Sequence, residues 1–537
     1  MRELRSYQTN YFESGWALAP AFYLGWEPRL GKTYAERKAI LRRQREASVK
    51  RTLIVGPKNP LLMTWEDELT EAGYSRPSVG EGVNGYLIQL ARGESIWRAE
   101  VLKDLAKGAA DDEPYIVLIN FDVLDDYFEP IETIVPKKEY RFRKKTFVTD
   151  IEGKGYEKAK IARANSTSKK IVDLLLDLNF QTLIVDEAHL ISAAGAHRSR
   201  ALRRLGRGAQ FRRLLSGTPD PQRAPSFYAQ YVVLAPEIFG TSKQKFLDRY
   251  FDTNPFIPSR IRNMKPGMRN EFYAKVYSIM SIVKSEDYFG PDDTIEVERR
   301  LVMPSEVRAT YDTLQKDSVL ASDSLTVDGT HRLTKLLRSL QLCAGFLEDE
   351  NSGEVRWLHR AKEEAIIGDL SEILAAGERV VISYQFNPAG ESIVKAINTV
   401  FRAQVAHLIN GQTNNATDLL RLFDVNSTAP TEIKVLVIQE QVGGVGISLA
   451  RARHLFFHSW SMDSAAHTQM RRRVWHPSRA ASIAYYQMKD SADDFARAIV
   501  QDKVDASVMK SHDLATIYEK WWNNGKGKQV AGTGIRA

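Results

Sequence analysis

Two segments far apart in the chain carry residue types that together could bind and cleave a nucleoside triphosphate. Residues 26–33 read Trp-Glu-Pro-Arg-Leu-Gly-Lys-Thr, and residues 183–191 read Leu-Ile-Val-Asp-Glu-Ala-His-Leu-Ile. The first runs into a helical pattern. Gly31 lets the backbone approach an anion at a helix N-terminus, where unpartnered N–H groups and the positive end of the dipole attract phosphate. Lys32 supplies a cation for the β- and γ-phosphates, and Thr33 offers a hydroxyl to magnesium. The second segment is an apolar, β-branched strand ending in Asp186 and Glu187, at the end where parallel sheets place their ligands. Asp186 would hold the magnesium with Thr33, and Glu187 would orient the attacking water. His189, two residues on, could couple the site to a later loop. A Gly-Lys-Thr alone is common, and two acids after a buried strand can simply cap a helix. The pairing of the two segments is what points to phosphate chemistry.

The elements that must position these residues alternate. Strands are expected near 52–56, 115–119, 182–186 and 212–216, with helices between them, so residues 1–255 read as one α/β lobe with a largely parallel sheet. Residues 256–355 lack that alternation. Stretches 269–284, 305–316 and 331–345 have apolar residues at helical spacing and read as helical projections and linker. Residues 356–510 read as a second α/β lobe, with strands near 379–384, 403–409, 434–438 and 453–458. A tail, 511–537, holds Trp521-Trp522 and a Gly/Lys-rich end; the tryptophans are expected to pack on a lobe. No internal repeat is visible.

Composition bounds the rest. The chain has 537 residues, 43% hydrophobic and 26% charged, as in ordinary globular proteins. Its single cysteine, Cys343, excludes an intramolecular disulfide and has no neighbours at metal-ligand spacing. No signal peptide and no apolar run of about 20 residues is seen, so no membrane span is expected. The formal charge is +8. Residues 131–170 hold twelve Lys/Arg against five Asp/Glu, a net of +7, interleaved with Tyr140, Phe142, Phe147 and Tyr156. Such clusters raise phosphate affinity without specifying sequence, although charge runs are often only solvated faces. Alternation from Glu139 to Val148 suggests a β-hairpin there, with Lys137, Lys138, Lys144 and Lys145 as candidate nucleic-acid contacts.

Further segments, in order, carry a resemblance. They are Leu4-Arg5-Ser6-Tyr7-Gln8; Leu53-Ile54-Val55-Gly56-Pro57-Lys58 with Trp65 and Glu68; residues 115–124; Leu215-Ser216-Gly217-Thr218-Pro219; and residues 234–240 with Phe246 and Tyr250. In the second half come residues 380–386, Asn410-Gly411-Gln412-Thr413, residues 439–449, and Gln469 with Arg473. In this order they resemble a superfamily 2 helicase-type ATPase with a DEAH-like acidic motif, and more narrowly the Swi/Snf-like DNA translocases, over about residues 4–503. The resemblance implies two RecA-like parallel-sheet lobes with helical projections between and on them, and ATP with Mg2+ at the lobe interface. It implies an adenine-reading Tyr7 and Gln8, a phosphate loop of Arg29, Leu30, Gly31, Lys32 and Thr33, and Gly446, Arg473 and His476 contributed by the second lobe. Asp186, Glu187, Lys32, Thr33 and Arg473 would be catalytic. His189, Ser216, Thr218 and Gln469 would couple the lobes, and Lys58, Asn120, Thr413, Gln439, Gly443 and Gly444 would meet nucleic acid.

The chain departs from this pattern at three points. Trp26 stands where a glycine usually opens the loop. Arg29 stands where the family usually has glycine and could reach a phosphate or the opposite lobe. His476 replaces a second arginine, so Arg473 would act alone, or Arg472 or Arg479 would compensate, or turnover would be slow. Arginine suits such a place because it is always charged and binds bidentately, whereas histidine is mostly neutral at pH 7 unless an acid raises its pKa.

The expected function is ATP-driven movement on double-stranded or branched DNA, remodelling forks and branches or displacing proteins. One alternative is a strand-separating DNA or RNA helicase; another is a weakly hydrolysing nucleic-acid binder. Other replication or repair proteins are candidate partners, and nucleosomes and membranes are not expected. The length suits a motor without accessory modules, as in bacterial or viral members of the group, which sets the expected location in the cytoplasm of a bacterial or infected host cell.

Overall fold

The computed structural model describes residues 3–500 except 59–60, 78–83, 92–94, 109–112, 126–138, 143–144, 150–155, 158–169, 192–194, 218, 220–223, 254–260, 291–292, 322–328, 349–353, 414, 426, 444–447, 460, 463 and 477–478, together with Tyr518 and Trp521. Two parallel sheets organise it. The first contains β1 (Ala21–Trp26), β2 (Arg51–Gly56), β3 (Tyr74–Ser75), β4 (Gly85–Gln89), β5 (Tyr115–Asn120), β6 (Thr182–Asp186), β7 (Phe211–Leu215) and β8 (Met280–Val283). Their order is β8-β1-β7-β6-β2-β5-β4-β3, and every neighbouring pair is parallel. The second contains β9 (Ile295–Leu301), β10 (Val380–Tyr384), β11 (Ala406–Ile409), β12 (Val435–Gln439), β13 (His454–Phe457) and β14 (Ser482–Met488), in the order β9-β14-β13-β10-β12-β11, again all parallel.

The sequence dictates this layering. The central strands are continuous apolar runs because helices cover both faces of a parallel sheet. Along β2 and β5, Leu53, Val55, Val117 and Ile119 pack into one core, while Ile54, Ile116 and Leu118 pack into another on the opposite face. In the second sheet Val381, Leu436 and Ile438 face one way, and Val380, Ile382, Val435 and Val437 the other. Tyr518 and Trp521 pack on Phe495 of the second lobe. Trp522 lies outside the described residues.

The span 256–355 is not only helical. Helices Met268–Tyr277, Ser305–Ala321 and Gly329–Ala344 lie in it, but so do β8 and β9, which give each sheet an edge strand. The helix expected over 269–284 stops at Tyr277, because Met280–Val283 pairs with β1 instead. The charged alternation after Tyr115–Asn120 does form a hairpin: Glu139–Phe142 pairs antiparallel with Lys145–Thr149. No helix among the described residues is long and apolar enough to cross a membrane.

Candidate active site at the lobe interface

Parallel strands deliver their loops to one edge of the sheet, and the candidate residues sit there. Trp26 ends β1, Asp186 ends β6, and Leu215 ends β7 between them; Leu215 pairs with Asp186 in register. Trp26 is fully buried, donates its indole N–H to Ser281 Oγ at 3.0 Å, and stacks edge-on against Tyr7 at 5.1 Å. The loop after it reaches helix Lys32–Ala47, whose N-cap is Gly31 at φ 70°, ψ 40°. A Cβ at Gly31 would also stand 2.7 Å from Gln8 Nε2, so a side chain there would displace the Gln8 amide as well as strain the backbone. Tyr7 Oη and Gln8 Nε2 donate to Leu30 O at 2.8 and 3.2 Å, which locks the first helix onto the loop. Arg29 is also left-handed, at φ 68°, a conformation that opposes any side chain with a Cβ.

Lys32 is the first residue of its helix and Thr33 the second. Lys32 Nζ donates to the main-chain carbonyls of Trp26 at 2.7 Å and Glu27 at 3.4 Å. Burial lowers its pKa, and Glu187 and Asp186 work against that shift. Asp186 accepts the Trp65 indole N–H at 2.9 Å and the Glu187 backbone N–H at 2.9 Å. Burial, and then the negative charge of Glu187, hold its carboxyl well above the usual range. Burial acts the same way on Glu187, but there the His189 hydrogen bond and charge, Lys32 and Arg473 outweigh it and hold that carboxyl below its usual range. Glu187 itself is left-handed, at φ 50°.

His189 links this pair to the next loop and to the other lobe. Its Nδ1 lies 3.0 Å from Ser216 Oγ and 3.3 Å from Glu187 Oε2. Gln469 Nε2, on helix Ser464–Val474, lies 3.3 Å from His189 Nε2. Arg473, one helical turn beyond Gln469, is half-buried and feels the charges of Asp186 and Glu187; desolvation lowers its pKa against their pull. Arg472 donates to Glu27 Oε1 at 2.9 Å, and Glu27 Oε2 accepts from the Ser285 backbone N–H and hydroxyl at 2.9 and 2.6 Å. Arg29 reaches Ser448 Oγ at 3.2 Å and the Arg473 carbonyl.

Thus Lys32, Thr33, Asp186, Glu187, His189 and Ser216 come together at one sheet edge, and Gln469 and Arg473 meet them from the second lobe. Thr33 and Asp186 are hard oxygen donors, and Glu187 adds a second carboxylate next to Asp186. That set fits magnesium, which keeps most of its waters and is held by one or two side chains plus phosphate oxygens.

Burial, then Arg479 and Arg29, lower the pKa of His476 below its ordinary value. Of the two suggested substitutes, Arg472 is engaged by Glu27 and Arg479 donates to the Ala450 carbonyl. Asn120 ends β5. It is buried, and its amide donates to Asp122 Oδ2 at 3.3 Å while its Oδ1 has no hydrogen-bond partner among the described residues. Lys58 follows β2 and is exposed. Thr413 Oγ1 accepts from the Asn410 backbone N–H at 3.0 Å, bracing the turn after β11. Gln439 ends β12 and donates to the Gln385 carbonyl at 3.4 Å, and Gly443 closes the short helix that follows. Thr218, Gly444, Gly446, Lys137, Lys138 and Lys144 lie outside the described residues, and Lys145 opens a hairpin strand.

Sequence reasoning left Trp65, Glu27, Ser285 and Ser448 out of the site. Trp65 falls in a recognisable segment, but its indole meets a carboxylate 121 residues away, and no spacing rule reveals that.

Two parallel-sheet lobes with phosphate-loop, paired-acid and arginine elements at their junction define a two-lobed nucleotide-site protein. Residues 23–284 match the SNF2-related domain. The putative ATP-dependent helicase/translocase YwqA of Bacillus subtilis is 21% identical over 413 residues, covering 75% of this chain and 42% of its own length. The putative protein p41 of Acyrthosiphon pisum secondary endosymbiont phage 1 is 23% identical over 262 residues, covering 45% of this chain and 56% of its own length. The chain therefore spans about half the length of these relatives. The Sulfolobus solfataricus SWI2/SNF2 ATPase core in complex with dsDNA overlays with a TM-score of 0.35 at 17% identity, covering 96% of this chain and 95% of that one.

Proposed function

We propose that this protein hydrolyses ATP between its two lobes and uses the cycle to move along double-stranded or branched DNA, remodelling forks or branches or displacing bound proteins. The observation that carries this reading is the convergence of Lys32, Asp186 and Glu187 with Arg473 and Gln469, residues from opposite lobes. Backbone N–H groups at Gly31–Thr33 bind the phosphates, and Lys32 leaves the Trp26 carbonyl to bridge the outer two. Magnesium, held by Thr33 and Asp186, would neutralise developing phosphate charge. Glu187, kept ionised, accepts a hydrogen bond from a water in line with the terminal phosphorus. That water attacks, the bond from the terminal phosphorus to the bridging oxygen breaks, and the oxygen leaves on ADP with the electron pair. Both of the water's protons end on the released phosphate, as H2PO4−, which then equilibrates with solvent. Arg473 stabilises the charge that builds up in between.

Movement follows because the nucleotide would touch both lobes. Loss of the terminal phosphate removes contacts that favour closure, and loops at the strand ends of each lobe grip the DNA backbone alternately. Phosphate contacts make such movement nearly independent of sequence. The likeness to YwqA, itself named a putative ATP-dependent helicase/translocase, supports the motor class. The test is ATP hydrolysis by the wild type and Lys32→Ala. Removing a transition-state phosphate interaction lowers kcat by at least about 10²-fold. Retained turnover would sink the assignment.

A further inference from the structure

Arg29 is a residue whose conformation and surroundings the nucleotide reading alone does not explain. It sits in the phosphate loop two residues before the Gly31 N-cap, in a left-handed conformation that resists a side chain. Residues held this way persist where the surroundings force them, often at functional sites. Its NH2 nitrogen is engaged by the second lobe, through Ser448 Oγ at 3.2 Å and the Arg473 carbonyl. Its NH1 nitrogen is shut away from solvent and has no hydrogen-bond partner among the described residues. The charged groups facing it are Arg473 and Arg479, with Asp424 as the opposing acid. Buried guanidinium N–H groups are costly without an acceptor, and a cluster of arginines calls for an anion.

We infer that Arg29 links the terminal phosphate to lobe closure: NH1 donates to a terminal phosphate oxygen while NH2 holds the second lobe through Ser448 and the Arg473 carbonyl. This rests on the nucleotide reading above. The loop's N–H groups at Gly31–Thr33 cradle the inner phosphates, and Arg29 stands on the side of the loop that faces Arg473. The planar fork makes this division of labour possible, since one guanidinium presents separate donors to two partners. ATP and ADP would then differ at this residue, because ADP offers NH1 no terminal phosphate.

The test is equilibrium binding of a non-hydrolysable ATP analogue and of ADP, by wild type, Arg29→Gly, Arg29→Lys and Lys32→Ala. Removal of a charge-assisted hydrogen bond predicts that Arg29→Gly weakens the analogue by about 10-fold or more and ADP by less than about 3-fold. Glycine relaxes the left-handed position, so the variant's Tm without nucleotide should not fall. Arg29→Lys keeps the charge and loses the fork, and should lose the same preference for the analogue; it decides the matter if the glycine variant does not fold. Equal weakening of both nucleotides, or of neither, overturns the role of Arg29 while leaving the nucleotide site standing, provided Lys32→Ala weakens binding. A wild type that binds neither nucleotide, or a Lys32→Ala variant that binds both normally, overturns the nucleotide reading and this inference with it.

Discussion

Asp186 and Glu187 are chain neighbours in one buried site, yet their carboxyls are pushed in opposite directions. The cause is position. At Asp186 burial and its neighbour's charge outweigh the Trp65 hydrogen bond and Lys32, whereas at Glu187 His189, Lys32 and Arg473 outweigh burial. The first proton taken up on acidification therefore goes to Asp186, the group that must be ionised to hold a cation. Hydrolysis should fail at a higher pH than an ordinary carboxylate would dictate, and added magnesium should move that acid limb to lower pH. A limb indifferent to magnesium would contradict the role of Asp186. The same shift has a stability consequence without nucleotide. A raised folded-state pKa means that Asp186 contributes stability fully below its unfolded value, and that this is lost as pH rises through the folded value. At this scale the sequence was legible for Lys32, Thr33, Asp186 and Glu187, because their types and spacing are set by phosphate and cation chemistry. Arg29 was legible only as an oddity, since a left-handed φ and an enclosed nitrogen are three-dimensional facts.

The elements decide which of these residues meet. Helix Ser464–Val474 carries Gln469, Arg472 and Arg473 on one side, and each reaches the first lobe: Gln469 meets His189, Arg472 meets Glu27, and Arg473 feels the charges of Asp186 and Glu187. Gln469→Ala removes the 3.3 Å contact that joins the second lobe to His189. It should lower DNA-stimulated kcat by about 3- to 10-fold, the worth of one hydrogen bond, with ATP binding nearly unchanged. An equal loss in binding would make Gln469 a general structural contact. The sequence announced the central strands, whose apolar β-branched runs reflect burial on both faces. It hid the edge strands. In β9, Glu296, Glu298, Arg299 and Arg300 occupy an exposed edge, with Glu296 paired to Arg497 at 2.9 Å and Arg299 to Asp369 at 2.8 Å. Charges there discourage pairing with another chain, and they also erase the hydrophobic signature of a strand. In β8 a four-residue strand follows a helix so closely that helical spacing runs through both.

For the whole molecule, two sheets present their loop-bearing ends to one junction, so a ligand that touches both lobes can bias their relative position. The basic segment 131–170 belongs to the first lobe and contains the hairpin of Glu139–Phe142 and Lys145–Thr149. Neutralising Lys137, Lys138, Lys144 and Lys145 should weaken DNA binding and flatten its dependence on salt, by about 0.9 in logarithmic slope for each DNA phosphate that the variant no longer neutralises. An unchanged slope would make the segment a bystander. The central claim is that hydrolysis is coupled to duplex DNA. Its most direct test is steady-state ATP hydrolysis with no nucleic acid, single-stranded DNA, double-stranded DNA, forked DNA and RNA, each beside Lys32→Ala. Strong stimulation by duplex or forked DNA, abolished in the variant, is the predicted result. Stimulation by single strands or RNA alone, or turnover indifferent to all of them, would contradict it.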